Sequence, residues 1–133
     1  MSDRSAVEDD IRAWLAEMET CVRSVDYARG RTIFAPDVVA FGTRGTRLDG
    51  LEATERDQWR RVWGTIRGFT FLVDHLVWGR SGDLAWLACP WTSEGFGPDG
   101  APFARPGRMT VVLERRDGRW LAVHSHFSLN PTS

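Results

Sequence analysis

Residues 108–128 read RMTVVLERRDGRWLAVHSHFS, two segments rich in apolar and β-branched residues on either side of Asp117-Gly118. An Asp-Gly pair between two such segments is a strong local signal for a β-hairpin. Because side chains alternate along a strand, His124 and His126 point to the same face of the second segment. The stretch therefore predicts that the chain ends in two adjacent antiparallel strands.

Two turns fit this hairpin. A two-residue turn at Asp117-Gly118 pairs Arg116 with Arg119. A three-residue loop with Gly118 at a bulge pairs Arg115 with Arg119, and we favour it because a glycine bulge after a type I turn suits this sequence. In that register one face of the hairpin is apolar, and the other carries a polar and aromatic set: Arg108, Thr110, Trp120, His124, His126 and Ser128.

Two further strand-like segments precede the hairpin. FTFLVDHLVWG (69–79) and LAWLACPWTS (84–93) are rich in aromatic and β-branched residues. They are bounded by RSGD (80–83) and by the Gly/Pro-rich EGFGPDGAPFARPG (94–107), which is typical of a loop. The second half of the chain therefore predicts four strands.

The first half of the chain has helical periodicity. Apolar residues recur at three- and four-residue spacing over 7–25 and over 51–66, and Asp26 is a candidate N-cap for a short helix between them. A short strand is expected at 37–45. Helices before strands predict an α+β domain, in which a curved antiparallel sheet wraps over the N-terminal helices as a cone with an apolar interior.

Composition narrows the function classes. The 133 residues fit one domain, 1–133, with residues 1–6 expected to be flexible. A formal net charge of −1 provides no basic surface for nucleic acid or membrane. The acidic N-terminus is unlike a signal peptide, and Cys21 and Cys89 stand alone, so we expect a cytoplasmic protein with reduced cysteines. Seven tryptophans indicate an aromatic cavity wall, a subunit interface or an aromatic core.

Three stretches carry a resemblance to a known superfamily: IFAPDVVAFGTRG (33–45), LDG (48–50) and LERRDGRWLAVHSHFS (113–128). Together they resemble the SnoaL-like, ketosteroid-isomerase-like superfamily, also called nuclear-transport-factor-two-like. The last stretch is also similar to the association domain of calcium/calmodulin-dependent protein kinase II. The resemblance implies a cone-shaped, cystatin-like α+β barrel with a pocket, usually as a homodimer. It implies no single activity, because the superfamily contains isomerases, cyclases, dehydratases and binding or oligomerisation domains.

The first functional hypothesis is a homodimer whose cone binds an apolar or aromatic small molecule. The predicted pocket residues are Phe41, Thr43, Trp59, Trp63, Trp91 and Arg108. Cofactor-free acid–base chemistry of the isomerase, dehydratase or cyclase type would use His124, His126 or Asp74, since a carboxyl buried in an apolar run could act as a base. We predict no metal and no cofactor, because the two histidines have no carboxylate at a recognisable spacing.

The alternative is a non-catalytic ligand-binding or dimerisation module. If the apolar face of the hairpin lines the cone, His124 and His126 point outward and lie at a subunit interface. Asp74 would then pair with an arginine at the sheet surface. The sequence leaves open whether the protein is an enzyme.

Overall fold

The first helix follows directly from the apolar periodicity. In a computed structural model that describes residues 3–132, helix α1 spans Asp3–Ser24. Its apolar stripe is buried: Val7, Ile11, Trp14, Leu15, Met18, Cys21 and Val22. Of residues 1–6, expected to be flexible, residues 3–6 belong to α1, and residues 1 and 2 lie outside the described part of the chain.

A short helix and a turn lead into the sheet. Helix α2 spans Tyr27–Gly30, and the Asp26 side chain caps it by accepting a hydrogen bond of 3.1 Å from the Arg29 N–H. This confirms the predicted N-cap. A 3₁₀ turn, Arg31–Ile33, connects α2 to the first strand.

The second long helix is interrupted by a wide turn. The sequence predicts one helix over 51–66, whereas the structure has α3 (Leu51–Thr54), a π-helical turn (Glu55–Trp59), α4 (Arg60–Val62) and a 3₁₀ turn (Trp63–Thr65). The π-helical turn inserts extra backbone into the helix, as such turns often do near functional sites. The buried face is kept through all four pieces: Leu51, Thr54, Trp59, Val62 and Trp63. None of the helices within 3–132 is long and apolar enough to cross a membrane.

The helices precede a curved, unclosed sheet, so the α+β prediction is confirmed. Its strands are β1 (Phe34–Phe41), β2 (Leu48–Asp49), β3 (Arg67–Phe71), β4 (Val77–Ser81), β5 (Leu84–Phe96), β6 (Pro102–Ala104), β7 (Gly107–Arg116) and β8 (Arg119–Leu129). The order is β2-β1-β8-β7-β5-β3, and β4 and β6 also pair with β5. Every pairing is antiparallel except that between β1 and β8, which is parallel.

Two predicted segments differ from the structure. The run 69–79 is two strands, β3 and β4, separated by a 3₁₀ turn at Val73–His75. Both strands pair with β5, and the register shifts between the pairs Phe71–Trp91 and Val77–Ala88. Asp74 and His75 lie in this turn and are both exposed, so Asp74 is not a carboxyl buried in an apolar strand. The predicted loop 94–107 contains the end of β5 and all of β6, which form a hairpin.

The final hairpin combines a two-residue turn with a bulge. Arg116 pairs with Arg119, and both turn residues have positive φ, 52° at Asp117 and 78° at Gly118, so the favoured three-residue loop is wrong. The bulge comes later, at Val123, between the pairs Leu113–Ala122 and Val112–His124. It moves Trp120 to the buried face and leaves His124, His126, Arg108, Thr110 and Ser128 on the other face.

Candidate functional site

A cavity lies between the inner face of the sheet and the helices. The space open to the centres of water molecules is about 40 Å³, room for roughly three waters at ~10–15 Å³ each. The cavity wall is formed by residues from α1, the end of β1, the helical segment 51–65, β3, β5, β8 and the segment before β7. These are Met18, Val22, Ala40, Phe41, Gly42, Thr43, Thr54, Gln58, Trp59, Val62, Trp63, Ile66, Phe69, Trp91, Arg105, Ser125 and Phe127.

Six aromatic rings contribute to the cavity wall. Trp59 and Trp63 stack with ring centroids 4.7 Å apart and an interplanar angle of 19°. On the sheet side, Phe69 packs against Trp91 at 5.5 Å. All four rings are nearly inaccessible to outside solvent. Such a wall favours an apolar occupant, because moving apolar surface out of water is the main driving force of binding here.

Gln58, in the π-helical turn, holds one side of the cavity mouth. Its Oε1 accepts hydrogen bonds from the backbone N–H groups of Arg44 (2.8 Å) and Gly45 (3.0 Å). Because those groups only donate, the amide nitrogen is turned toward Thr43 and donates to its Oγ1 at 2.9 Å. A Cβ at Gly42 would collide with this Gln58 side chain, so glycine permits the close approach.

Arg105 lies on the other side of the mouth, in the short segment between β6 and β7. Its guanidinium donates to Thr43 Oγ1 (3.2 Å) and to Ser93 Oγ (3.4 Å) and sits 5.4 Å from the ring centroid of Trp91. Backbone hydrogen bonds with Ser93 fix the segment, since Arg105 N–H donates to the Ser93 carbonyl at 2.8 Å. Burial of the guanidinium lowers the pKa of Arg105, and no nearby carboxylate of the described residues offsets this effect.

The described residues of the cavity wall include no general base. Among the described residues that form its wall there is no Asp, Glu, His, Cys or Tyr. Acid–base catalysis needs such a group within hydrogen-bond reach of the reacting atom. Within residues 3–132, no three His, Cys, Asp or Glu side chains lie together in a way that could hold a metal ion.

The structure brings most of the predicted pocket residues together. Thr43, Trp59, Trp63 and Trp91 line the cavity. Phe41 also borders it, but its ring packs edge-on against the imidazoles on the outer side of the sheet. Arg108 does not reach the cavity, because it faces outward from β7 and donates to Ser128 Oγ at 3.2 Å.

The three residues predicted to be catalytic lie elsewhere. His124 and His126 face away from the cavity, on the outer side of β8. His124 Nδ1 lies 2.7 Å from the Val39 carbonyl oxygen, which can only accept, so Nδ1 carries the proton and donates. Asp74 is exposed in the 3₁₀ turn before β4 and touches neither histidine. The candidates therefore do not form one site.

Two residues at the cavity mouth, Gln58 and Arg105, are not among the pocket residues predicted from the sequence. Arg105 lies in the stretch taken for a connecting loop, where no periodicity reports which way a side chain points. Gln58 lies on the predicted helix beside Trp59, and only the π-helical turn brings it to the 42–45 bend. One feature of the sequence could have indicated Arg105: in APFARPG (101–107) it stands between apolar and proline residues, with no acidic neighbour.

Several solved structures share this fold at low sequence identity. A nuclear transport factor 2 (NTF2-like) superfamily protein from Salmonella enterica serovar Typhimurium is 20% identical, with a TM-score of 0.84 over 98% of this chain and 95% of that chain. A ketosteroid isomerase-like protein from Erwinia carotovora is 15% identical, with a TM-score of 0.80 over 93% and 96%. The association domain of C. elegans CaMKII is 18% identical, with a TM-score of 0.72 over 95% and 97%.

Sequence comparison identifies the family directly. No curated protein sequence matches the chain. The model of the family described as "SnoaL-like domain" matches residues 11–132, which is most of the chain. The chain therefore belongs to the SnoaL-like domain family.

Proposed function

We propose that this protein binds a small apolar or aromatic molecule in the cavity between its sheet and its helices. The observation that carries the proposal is the cavity wall, which combines stacked indoles with a few polar groups collected at the mouth. This mixture of apolar surface and a few convergent polar groups is typical of small-molecule sites.

The proposal is binding without acid–base chemistry. The family contains isomerases and dehydratases, which need a proton-transfer group beside the substrate. The wall of this cavity has none among the described residues. Catalytic roles for His124, His126 and Asp74 stay predictions that no contact with the cavity supports.

The test is a calorimetric titration with benzyl alcohol, a neutral probe with a single ring. Because a benzene ring needs a cavity of roughly 150 Å³, its binding requires the side chains at the open mouth of this 40 Å³ cavity to move apart. We expect saturable binding to the wild-type protein. In Ser125→Leu the affinity should fall about tenfold or more, because the larger side chain occupies space that the probe needs. Ser125 is buried at the cavity wall, on the inner face of β8.

The matched control is Ser128→Leu, the same change on the outer face of the same strand. It should bind benzyl alcohol like the wild type. Thermal melting checks that both variants are folded. Absence of binding to the wild type, or equal binding to both variants, would contradict the proposal.

A second candidate function is self-association through the outer face of the sheet. A row of paired residues crosses that face: Gly79, Trp86, Val112, His124 and Val39. Trp86 is 47% exposed, and nearby Val77 is 56% exposed. Beside them a hollow of about 490 Å³ is lined by polar and apolar side chains, including Arg108 and His126. Exposed apolar surface of this kind is typical of interfaces.

We propose a homodimer with this face as its interface, and the structural neighbour described as an association domain supports the choice of a second copy. Sedimentation velocity should find dimers at micromolar concentration. Trp86→Lys should be monomeric, because a charge in the apolar row would be buried without a partner. Phe103→Lys, a change at an aromatic residue 51% exposed on β6, should stay dimeric. A monomeric wild type would refute the interface.

We also propose that the protein works in the cytoplasm. Cys21 and Cys89 are both buried and unbridged. Burial raises the pKa of the Cys21 thiol to about 11 and also raises the pKa of Cys89, which keeps both thiols protonated and slow to oxidise. Unpaired cysteines of this kind are typical of proteins in reducing compartments.

A further inference from the structure

Within the part of the chain that the structure describes, no ion pair neutralises the charge of Arg105. Arg105 is half-buried, and among the described residues no carboxylate lies within ion-pair distance of its guanidinium. Arginines elsewhere on the molecule have such partners, for example Arg67 with Glu94 at 2.7 Å and Arg31 with Glu55 at 2.8 Å. Arg105 is also the only charged residue among the described residues of the cavity wall. A partly desolvated cation without a counter-ion favours an anion.

Hydrogen-bond donors at the mouth of the cavity, beside Arg105, have no acceptor in the described part of the chain. Arg105 uses two of its N–H groups, on Thr43 and Ser93. Thr43 Oγ1 accepts from both Arg105 and Gln58, so its own hydrogen points elsewhere and has no acceptor among residues 3–132. The Nε1 of Trp91, the ring beneath Arg105, is buried and also has no partner among them.

We propose that the mouth of the cavity is a carboxylate-binding subsite formed by Arg105 and Thr43. The ligand is a small monocarboxylate whose apolar body, no larger than a single ring, lies against Trp59 and Trp63. This inference rests on the proposed binding function of the same cavity and names the class of ligand. A planar carboxylate matches the fork of guanidinium donors, and the remaining oxygen lone pairs accept from the Thr43 hydroxyl.

A single positive charge favours a monoanion over a phosphate. A phosphate group carries close to two charges near neutral pH and needs several strong donors, usually more than one cation or a helix N-terminus. Arg105 has no second cation beside it in the cavity wall. Gln58 acts here as a positioning residue, because its amide holds Thr43 and the 42–45 bend against the guanidinium.

The experiment compares benzoate, benzamide and benzyl alcohol as probes of equal ring size, with dissociation constants from NMR titration. The wild type should bind benzoate more tightly than benzamide. In Arg105→Gln the affinity for benzoate should fall roughly 10- to 100-fold, because a charge-assisted hydrogen bond is lost. The affinity for benzyl alcohol should fall much less than that for benzoate, since the neutral probe forms no charge-assisted hydrogen bond with the guanidinium.

The matched control is Arg108→Gln, which removes an arginine from the outer face and should leave all three affinities unchanged. If benzyl alcohol binds and Arg105→Gln leaves benzoate binding intact, the carboxylate subsite is wrong while the binding function stands. If Arg105→Gln does not fold, the test is the affinity of the wild-type protein for the two probes. Equal affinity for benzoate and benzamide would overturn the carboxylate subsite. If no probe binds the wild type, the binding function fails, and the subsite fails with it.

Discussion

At the scale of single residues, the cavity mouth shows how one hydrogen bond fixes the next. Two backbone N–H groups, of Arg44 and Gly45, decide which end of the Gln58 amide faces Thr43. That choice makes Thr43 an acceptor for both Gln58 and Arg105 and turns its hydroxyl hydrogen away from them. The donor character of the mouth is therefore a consequence of backbone geometry and not of a single side chain.

Glu55, in the π-helical turn, gives a prediction for stability. Its carboxylate accepts from Arg31 at 2.8 Å and from Arg60 at 2.9 Å, and only 14% of its side chain is exposed. The hydrogen bond from Arg31, with that from Arg60, lowers the pKa of Glu55 despite its partial burial. We expect Glu55→Gln to lower the free energy of unfolding at pH 7 by about 1 kcal/mol.

The effect should depend on pH in one direction. Because the pKa is lower in the folded state, the stabilisation is complete above the unfolded pKa of about 4.3 and is lost as pH falls through the folded value. Urea unfolding at pH 7 and at pH 3 measures this, with the exposed Glu52→Gln as the control. A difference between wild type and Glu55→Gln that is as large at pH 3 would contradict the assignment.

The candidate site could be predicted only in part at this scale. Trp59, Trp63 and Trp91 were expected in the pocket because large aromatic residues in apolar runs become buried. Arg105 could not be placed, since its direction depends on the β5–β6 hairpin and on its backbone pairing with Ser93. No local sequence pattern predicts these contacts, because they join residues that are distant along the chain.

At the scale of elements, the hairpin β7–β8 shows what local rules determine. The Asp117-Gly118 pair predicts a turn, and the turn exists with both residues at positive φ. The bulge at Val123 has no signature in the sequence, because it serves tertiary packing: it buries Trp120 on the same face as Ser125. A bulge of one residue decides which side chains share a face, so the predicted face was correct for the histidines and wrong for Trp120.

The run from Phe69 to Gly79 marks the limit of periodicity. A continuous apolar stretch is compatible with one long buried strand or with two shorter ones. In the structure both β3 and β4 pair with β5, and the extra residues between the pairs Phe71–Trp91 and Val77–Ala88 form the turn that separates the two strands. By contrast, α1 was predicted closely, since a long amphipathic stripe has one interpretation.

At the scale of the whole molecule, the curved sheet separates two surfaces with different chemistry. The inner face and the helices enclose the cavity, whereas the outer face carries both histidines, Trp86 and Val77. The sequence predicted the fold class and the presence of two faces from alternation. It left open which face is inside, because that depends on how the helices cover the sheet.

Because the two surfaces are separate, the claim that a ligand binds inside the cavity can be tested by finding which residues change on binding. A ligand bound in the cavity must change the environment of the residues on the inner face of the sheet and on the helices, and must leave the outer face unchanged. The indole N–H groups report on both, since Trp59, Trp63 and Trp91 line the cavity and Trp86 lies outside.

The most direct measurement is an ¹H–¹⁵N NMR titration of the wild-type protein with benzyl alcohol, following the indole N–H signals. We predict saturable shifts for Trp59, Trp63 and Trp91 and none for Trp86. Shifts confined to Trp86 and the β8 histidines, or no saturable shift at all, would contradict a ligand site inside the cone.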